Sequence, residues 1–137
     1  METCAIFIKT VADDTESVAT FKGECTIGET LRVCYVEKGA RVGLTVDKDG
    51  AIVERSGDYG LRLKLVPMQT TKGSISLGGY VGEVETETET VEYQVRGDTV
   101  FLKLGYALVT GNEKQKMKLF ITIRKGKNDG RDEEDTI

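Results

Sequence analysis

The sequence predicts an all-β protein, a closed antiparallel up-and-down barrel of about eight to ten strands. Three observations carry that expectation. From Val84 to Thr90 residue character alternates at every position, with Glu85, Glu87 and Glu89 on one parity and Val84, Thr86, Thr88 and Thr90 on the other. A strand sends successive side chains to opposite faces, whereas a helix would mix the two sets. The rest of the chain reads as short alternating runs separated by Gly, Asp, Asn or Lys-Gly punctuation, which is the pattern of antiparallel strands and tight turns. No stretch of about ten residues carries a 3.6-residue apolar period. Closing such a meander removes the exposed strand edges that promote aggregation.

Each element follows from parity and turn chemistry. Cys4 to Ala12 is a first strand, ended by Asp13-Asp14, and Ser17 to Ile27 follows with Phe21, Cys25 and Ile27 on one face. Thr30 to Glu37 places Leu31, Val33 and Tyr35 together, and Arg41 to Asp47 does the same for Val42, Leu44 and Val46. Asp49-Gly50 supplies the positive φ of a two-residue turn, leading into a short strand, Ala51 to Arg55. Tyr59 to Val66 aligns Tyr59, Leu61, Leu63 and Leu65 before Pro67, the single proline, which cannot donate to a sheet ladder and marks a strand end or edge. Thr70 to Leu77 leads through Gly78-Gly79 into the alternating strand, and the glycines around Tyr80 suggest a barrel corner ahead of the other reading, the flexible lip of a mouth.

That strand contains a conflict. Its less polar set is even-numbered up to Thr90, yet Val91, Tyr93 and Val95 are odd-numbered. An inserted residue reverses the facing of everything after it, so a β-bulge or sharp bend is expected near Thr90 and Val91. Thr99 to Thr110 then carries the strongest core stripe, Val100 to Leu108 on even positions. Lys114 to Lys125 turns Met117, Leu119, Ile121 and Ile123 inward and Lys114, Lys116, Lys118 and Arg124 outward. Residues 1–126 form one barrel domain on this reading, and 127–137 form a charged, disordered tail.

Composition excludes several classes of function. Histidine is absent, which removes Ser-His-Asp and Cys-His catalysis, His-ligated zinc and proximal-His haem. The three cysteines are widely spaced without a CxxC, so free thiols in a reducing compartment are expected rather than a disulfide framework or zinc site. A net charge of −4 argues against a nucleic-acid partner, whose phosphates demand a basic footprint. Met1 to Ala12 lacks a charged segment followed by a long apolar run, and no apolar run is long enough to cross a bilayer. The expectation is a cytoplasmic protein with no membrane or nucleic-acid partner, no cofactor, no metal and no catalytic residues.

Arg55-Ser56-Gly57, Gly82-Glu83, Thr88-x-Thr90, Tyr106-x-Leu108 and the last strand before Lys125-Gly126 together resemble the YwiB-like family. These are small bacterial proteins, a domain of unknown function grouped with the calycin (lipocalin-like) β-barrels. The resemblance runs from the first strand to about Gly126. It implies a closed cytosolic calycin-like barrel and implies no activity. Many calycins set a tryptophan in the first strand beneath a basic residue from the last; the resemblance offers Phe7 and Arg124 for those places.

Parity and polarity select Arg55, Tyr59, Leu63, Thr86, Thr88, Tyr106 and Leu108 as candidates for lining a ligand cavity. An inward Arg55 could hold a carboxylate or phosphate bidentately, or it could fix the turn beside Ser56-Gly57. The threonine row could present hydroxyls to a polar ligand or water, or could reflect β-propensity alone. The acidic row reads as a solvated wall and the basic row of the last strand as its counterpart, with the core strand between them. Two functions follow: a barrel that binds a small, partly apolar molecule, or a filled barrel that acts through its outer surface, as a homodimer through an exposed strand for instance.

Overall fold

Ten strands follow one another along the chain: β1 (Glu2–Ala12), β2 (Thr15–Thr26), β3 (Leu31–Glu37), β4 (Ala40–Asp47), β5 (Gly50–Ser56), β6 (Tyr59–Leu65), β7 (Thr70–Leu77), β8 (Tyr80–Arg96), β9 (Thr99–Thr110) and β10 (Glu113–Lys125). The computed structural model describes residues 1–126, and the tail expected at 127–137 lies outside the described residues. Every strand pairs antiparallel with its neighbours in sequence, and β1 pairs with β10 to close the barrel. The predicted closed up-and-down barrel is the observed one. Gly78 and Gly79 both have positive φ, so they form the two-residue tip of the β7–β8 hairpin rather than the barrel corner expected around Tyr80.

The alternation in β8 sorts as expected. Val84, Thr86 and Thr88 are buried, while Glu83, Glu85 and Glu89 are exposed. The ladder to β9 shifts register between Thr88 and Thr90, so Glu89 is the bulged residue, one position before the predicted place. The insertion turns Thr90 away from the threonine row, to sit against Gly105. Val91 and Tyr93 then face the core cluster, as their parity demands.

The two ends of the barrel differ. At one end Cys4, Leu31, Val46, Leu65, Val100 and Ile123 are at most 1% exposed. Removing an aliphatic side chain of this kind from water contributes about 1.5–3 kcal/mol. The loop between β2 and β3 crosses this end, where Ile27 packs on the core and the Tyr93 hydroxyl donates to the Glu29 carbonyl at 3.4 Å. The other end is open because the walls have unequal heights. Strands β1, β2, β8, β9 and β10 run 11 to 17 residues, whereas β3 to β7 run 7 or 8. The β2–β3 ladder has only four pairs, ending at Gly23–Tyr35, so among the described residues Thr15–Lys22 has no strand on that side.

Outward positions carry the charged rows, and the two rows meet. Lys114 Nζ lies 2.9 Å from Glu87, reaching across β9 where Ala107 and Val109 stand between them in the ladders. Small residues at the centre of the trio let the long side chains span an intervening strand. Charge at these mid-strand outward positions is costly against lipid, and no helix among the described residues is long and apolar enough to cross a membrane. All three cysteines are free; Cys4 and Cys25 are buried and Cys34 is half-buried on the outside of β3. Burial pushes the Cys4 thiol up to about 12, and the neighbouring Cys25 adds to the shift.

Candidate functional site

The open end holds a cavity of about 190 Å³ inside the barrel. Strand register arranges its wall in layers. Ile6 pairs with Phe21 and Val33 with Leu44 at the deeper level, Ile8 with Ala19 and Tyr35 with Val42 above them. Thr10 pairs with Ser17 nearer the rim, and Glu37, the last residue of β3, also lines the cavity. The floor is therefore aliphatic and aromatic, and polar groups gather toward the mouth. Phe21 and Tyr35 stack with ring centroids 4.5 Å apart, bridging β2 and β3 just where their ladder stops. Burial pushes the Tyr35 hydroxyl up to about 12, with the Glu37 carboxylate and then Tyr106 adding to the shift.

The residues selected from sequence lie mostly on the other wall. Arg55 does point inward by parity and its side chain is 13% exposed, but its guanidinium is already engaged. It sits 3.8 Å from the centre of the Tyr59 ring, donates to the Tyr59 carbonyl at 2.8 Å and pairs with Asp58 at 2.9 Å. The hydrogen bond from Arg55 holds the Asp58 carboxyl below its ordinary range. Arg55 and Tyr59 thus form the β5–β6 turn clamp, the second of the two roles considered for Arg55. Leu63 is packed in the core. Thr86 pairs with Leu108 and Thr88 with Tyr106 across β8 and β9, so those four form one inner patch outside the cavity lining. Thr86 and Thr88 are 0% and 4% exposed, and neither hydroxyl has a hydrogen-bond partner among the described protein groups. Burial pushes the Tyr106 hydroxyl up to about 12.

Phe7 does not take the place of a calycin tryptophan. It faces outward from β1 opposite Thr122, and Arg124 lies outward opposite Ala5. The interior of that end is filled instead by Cys4, Ile6 and Ile123. Among the described residues no group of three or more potential ligands is placed to hold a metal ion.

The barrel and its residues match a known family. A family model described as a domain of unknown function (DUF1934) covers residues 6–121. The chain belongs to that family. Among solved structures it is similar to the crystal structure of the ywiB protein from Bacillus subtilis, with a TM-score of 0.77, 17% identity and coverage of 92% of this chain and 93% of that one. At that identity the likeness shows the fold alone. No curated protein matches the chain. The family match and the shared barrel carry no assigned chemistry, so function rests on the side chains just described.

The wall formed by Phe21, Tyr35, Glu37 and Val42 was missed by sequence reasoning. One signal was present: Glu37 shares the parity of Leu31, Val33 and Tyr35, so an acid was placed on an inward face at a strand end.

Proposed function

We propose that this chain is a cytoplasmic binding protein whose open barrel end holds one compact, mainly apolar molecule. The ligand carries an amine or other donor group that meets Glu37 and the Tyr35 hydroxyl at the mouth. The observation that supports this reading is the cavity of about 190 Å³ with an apolar floor and its polar groups toward one end. Its size falls below the roughly 300–1,000 Å³ typical of drug-sized ligand sites, but exceeds the roughly 150 Å³ apolar cavity that accepts benzene. A ring or short branched chain fits, with the polar end projecting toward solvent. Three free thiols suit a reducing compartment. Binding rather than catalysis is the role read here, because the cavity floor is apolar and its polar groups sit toward one end.

Native mass spectrometry of gently purified protein, paired with thermal shifts over a panel of small amines and aromatic metabolites, tests the proposal. A retained ligand or a selective stabilisation, weakened in Glu37→Gln and abolished in Val42→Phe, is the expected result. No bound mass and no stabilisation by any panel member would sink it. The alternative, a filled barrel acting through its outer surface, is supported by a separate observation: exposed Phe7, Phe101 and Phe120 on neighbouring strands.

A further inference from the structure

The outer faces of β2, β1, β10, β9 and β8 form a regular grid of side chains. One row runs Lys22, Ala5, Arg124, Thr99, Arg96, and the next runs Thr20, Phe7, Thr122, Phe101, Gln94. Below them lie Val18, Lys9, Phe120, Lys103, Glu92, and then Glu16, Val11, Lys118, Gly105, Thr90. Phe7 and Phe101 flank Thr122, and Phe120 sits two residues before it, so three rings surround one small residue. They are 40%, 44% and 39% exposed respectively, and a concave patch of about 440 Å³ runs past Phe101 and Phe120.

The charges around these rings are mostly basic. Lys9, Lys22, Lys103, Lys118, Arg96 and Arg124 stand on the grid against only two acids, Glu16 and Glu92. Glu16 is 3.7 Å from Lys9. Lys9 and Lys103 each approach the Phe120 ring to 5.9 Å, and Arg96 approaches Phe101 to 6.0 Å. The grid therefore carries a net charge of +4 on a chain whose total is −4. The chain-wide charge averages over this face.

We propose that this face binds single-stranded nucleic acid, with the phosphates held by the cations and bases stacked on the exposed phenylalanine rings. Interleaved rings and cations on a sheet surface supply both parts of such recognition: stacking contributes about 1–3 kcal/mol per base, and the cations release counterions from the backbone. Paired bases cannot present their flat faces, so the unpaired strand is the form that fits. The site is separate from the cavity and does not depend on it.

Fluorescence anisotropy with labelled mixed-sequence RNA and DNA oligonucleotides of about 15 nucleotides tests this, at about 50 mM and about 300 mM salt. Binding at low salt that weakens steeply at high salt is expected. Lys103→Glu with Lys118→Glu weakens it at least about tenfold by removing phosphate contacts, and Phe101→Leu or Phe120→Leu weakens it several-fold with little change in salt slope. Circular dichroism melts of the same variants separate loss of the face from loss of the fold. No binding at low salt overturns the proposal. So does binding that survives both kinds of variant, or binding lost with the lysines but indifferent to the rings, which marks a surface for any polyanion. Attachment to anionic phospholipid vesicles without nucleic-acid binding, or concentration-dependent self-association abolished by the same variants, would assign the face to a membrane or a second copy instead.

Discussion

The two ends of this barrel are built from the same alternation and end in different states. At the packed end Leu31, Val46, Leu65, Val100 and Ile123 meet from all sides and leave no accessible surface. At the open end Phe21, Tyr35, Val42 and Leu119 are only half-buried around a cavity. Hydrophobicity does not separate them, since both ends present large apolar side chains. Wall height does: β3 and β4 are short, and among the described residues β2 beyond Gly23 has no ladder partner on the β3 side. A barrel of this size closes where its walls match and stays accessible where they do not.

The largest expected effect is at the packed end. Leu65→Ala removes a fully buried side chain and should cost about 2–5 kcal/mol in urea unfolding, because a dense surround relaxes only partly into the space. A cost below about 1 kcal/mol would break the distinction between the ends. Next comes the place where β2 departs from β3. A Cβ at Gly23 would run into the Cys34 carbonyl oxygen and lie 2.9 Å from Ile6 Cδ1. Gly23→Ala should destabilise by about 1–3 kcal/mol, the usual cost of overpacking, and thermal denaturation would read it. A neutral result would show that the strands separate freely there.

Alkaline pH sharpens the comparison from the polar side. Tyr35 and Tyr106 stay protonated to about 12 in the folded chain, whereas an unfolded tyrosine ionises near about 10. Between those values the unfolded state has released protons that the folded state still holds, so stability falls as pH rises through that window. It is fully present below about 10. Phenolate absorbance, compared with Tyr35→Phe and Tyr106→Phe variants, should show these two hydroxyls ionising late and together with unfolding; ionisation of either near about 10 in the folded chain would contradict it. The smallest effect is expected in the inner threonine pair. Thr86→Val exchanges a hydroxyl without a partner among the described protein groups for a methyl and should be neutral or slightly stabilising. A loss of about 1–3 kcal/mol would instead reveal that the hydroxyl is hydrogen-bonded in solution.

Much of this was legible in the chain. Strand boundaries fell within a few residues of their predicted places, because Gly, Asp and Asn at the turns mark where φ must turn positive. The parity conflict in β8 could only be resolved by an inserted residue, and Glu89 is that residue. The cavity was harder to see. Parity predicts which side chains point inward along every strand, but it weighs both walls equally and says nothing about height around the circle. The sequence reading accordingly chose the β5, β6, β8 and β9 wall, where Leu63 is packed and Arg55 is clamped to Asp58 and Tyr59.

Local chemistry in the sequence thus determined the strands, their facing and the bulge, since each depends on residues at most a few positions apart. Tertiary structure alone decided three things. It placed Glu87 within reach of Lys114 over the small residues of β9. It left Glu37 and Tyr35 at the mouth of a half-filled interior. It also gathered Phe7, Phe101 and Phe120 with basic neighbours on one outer face. The last depends on the closure of β1 onto β10, which brings residues more than a hundred positions apart into one ladder, a distance over which no sequence period carries information; the other two depend on the reach of side chains across neighbouring strands and on where the β2–β3 ladder stops.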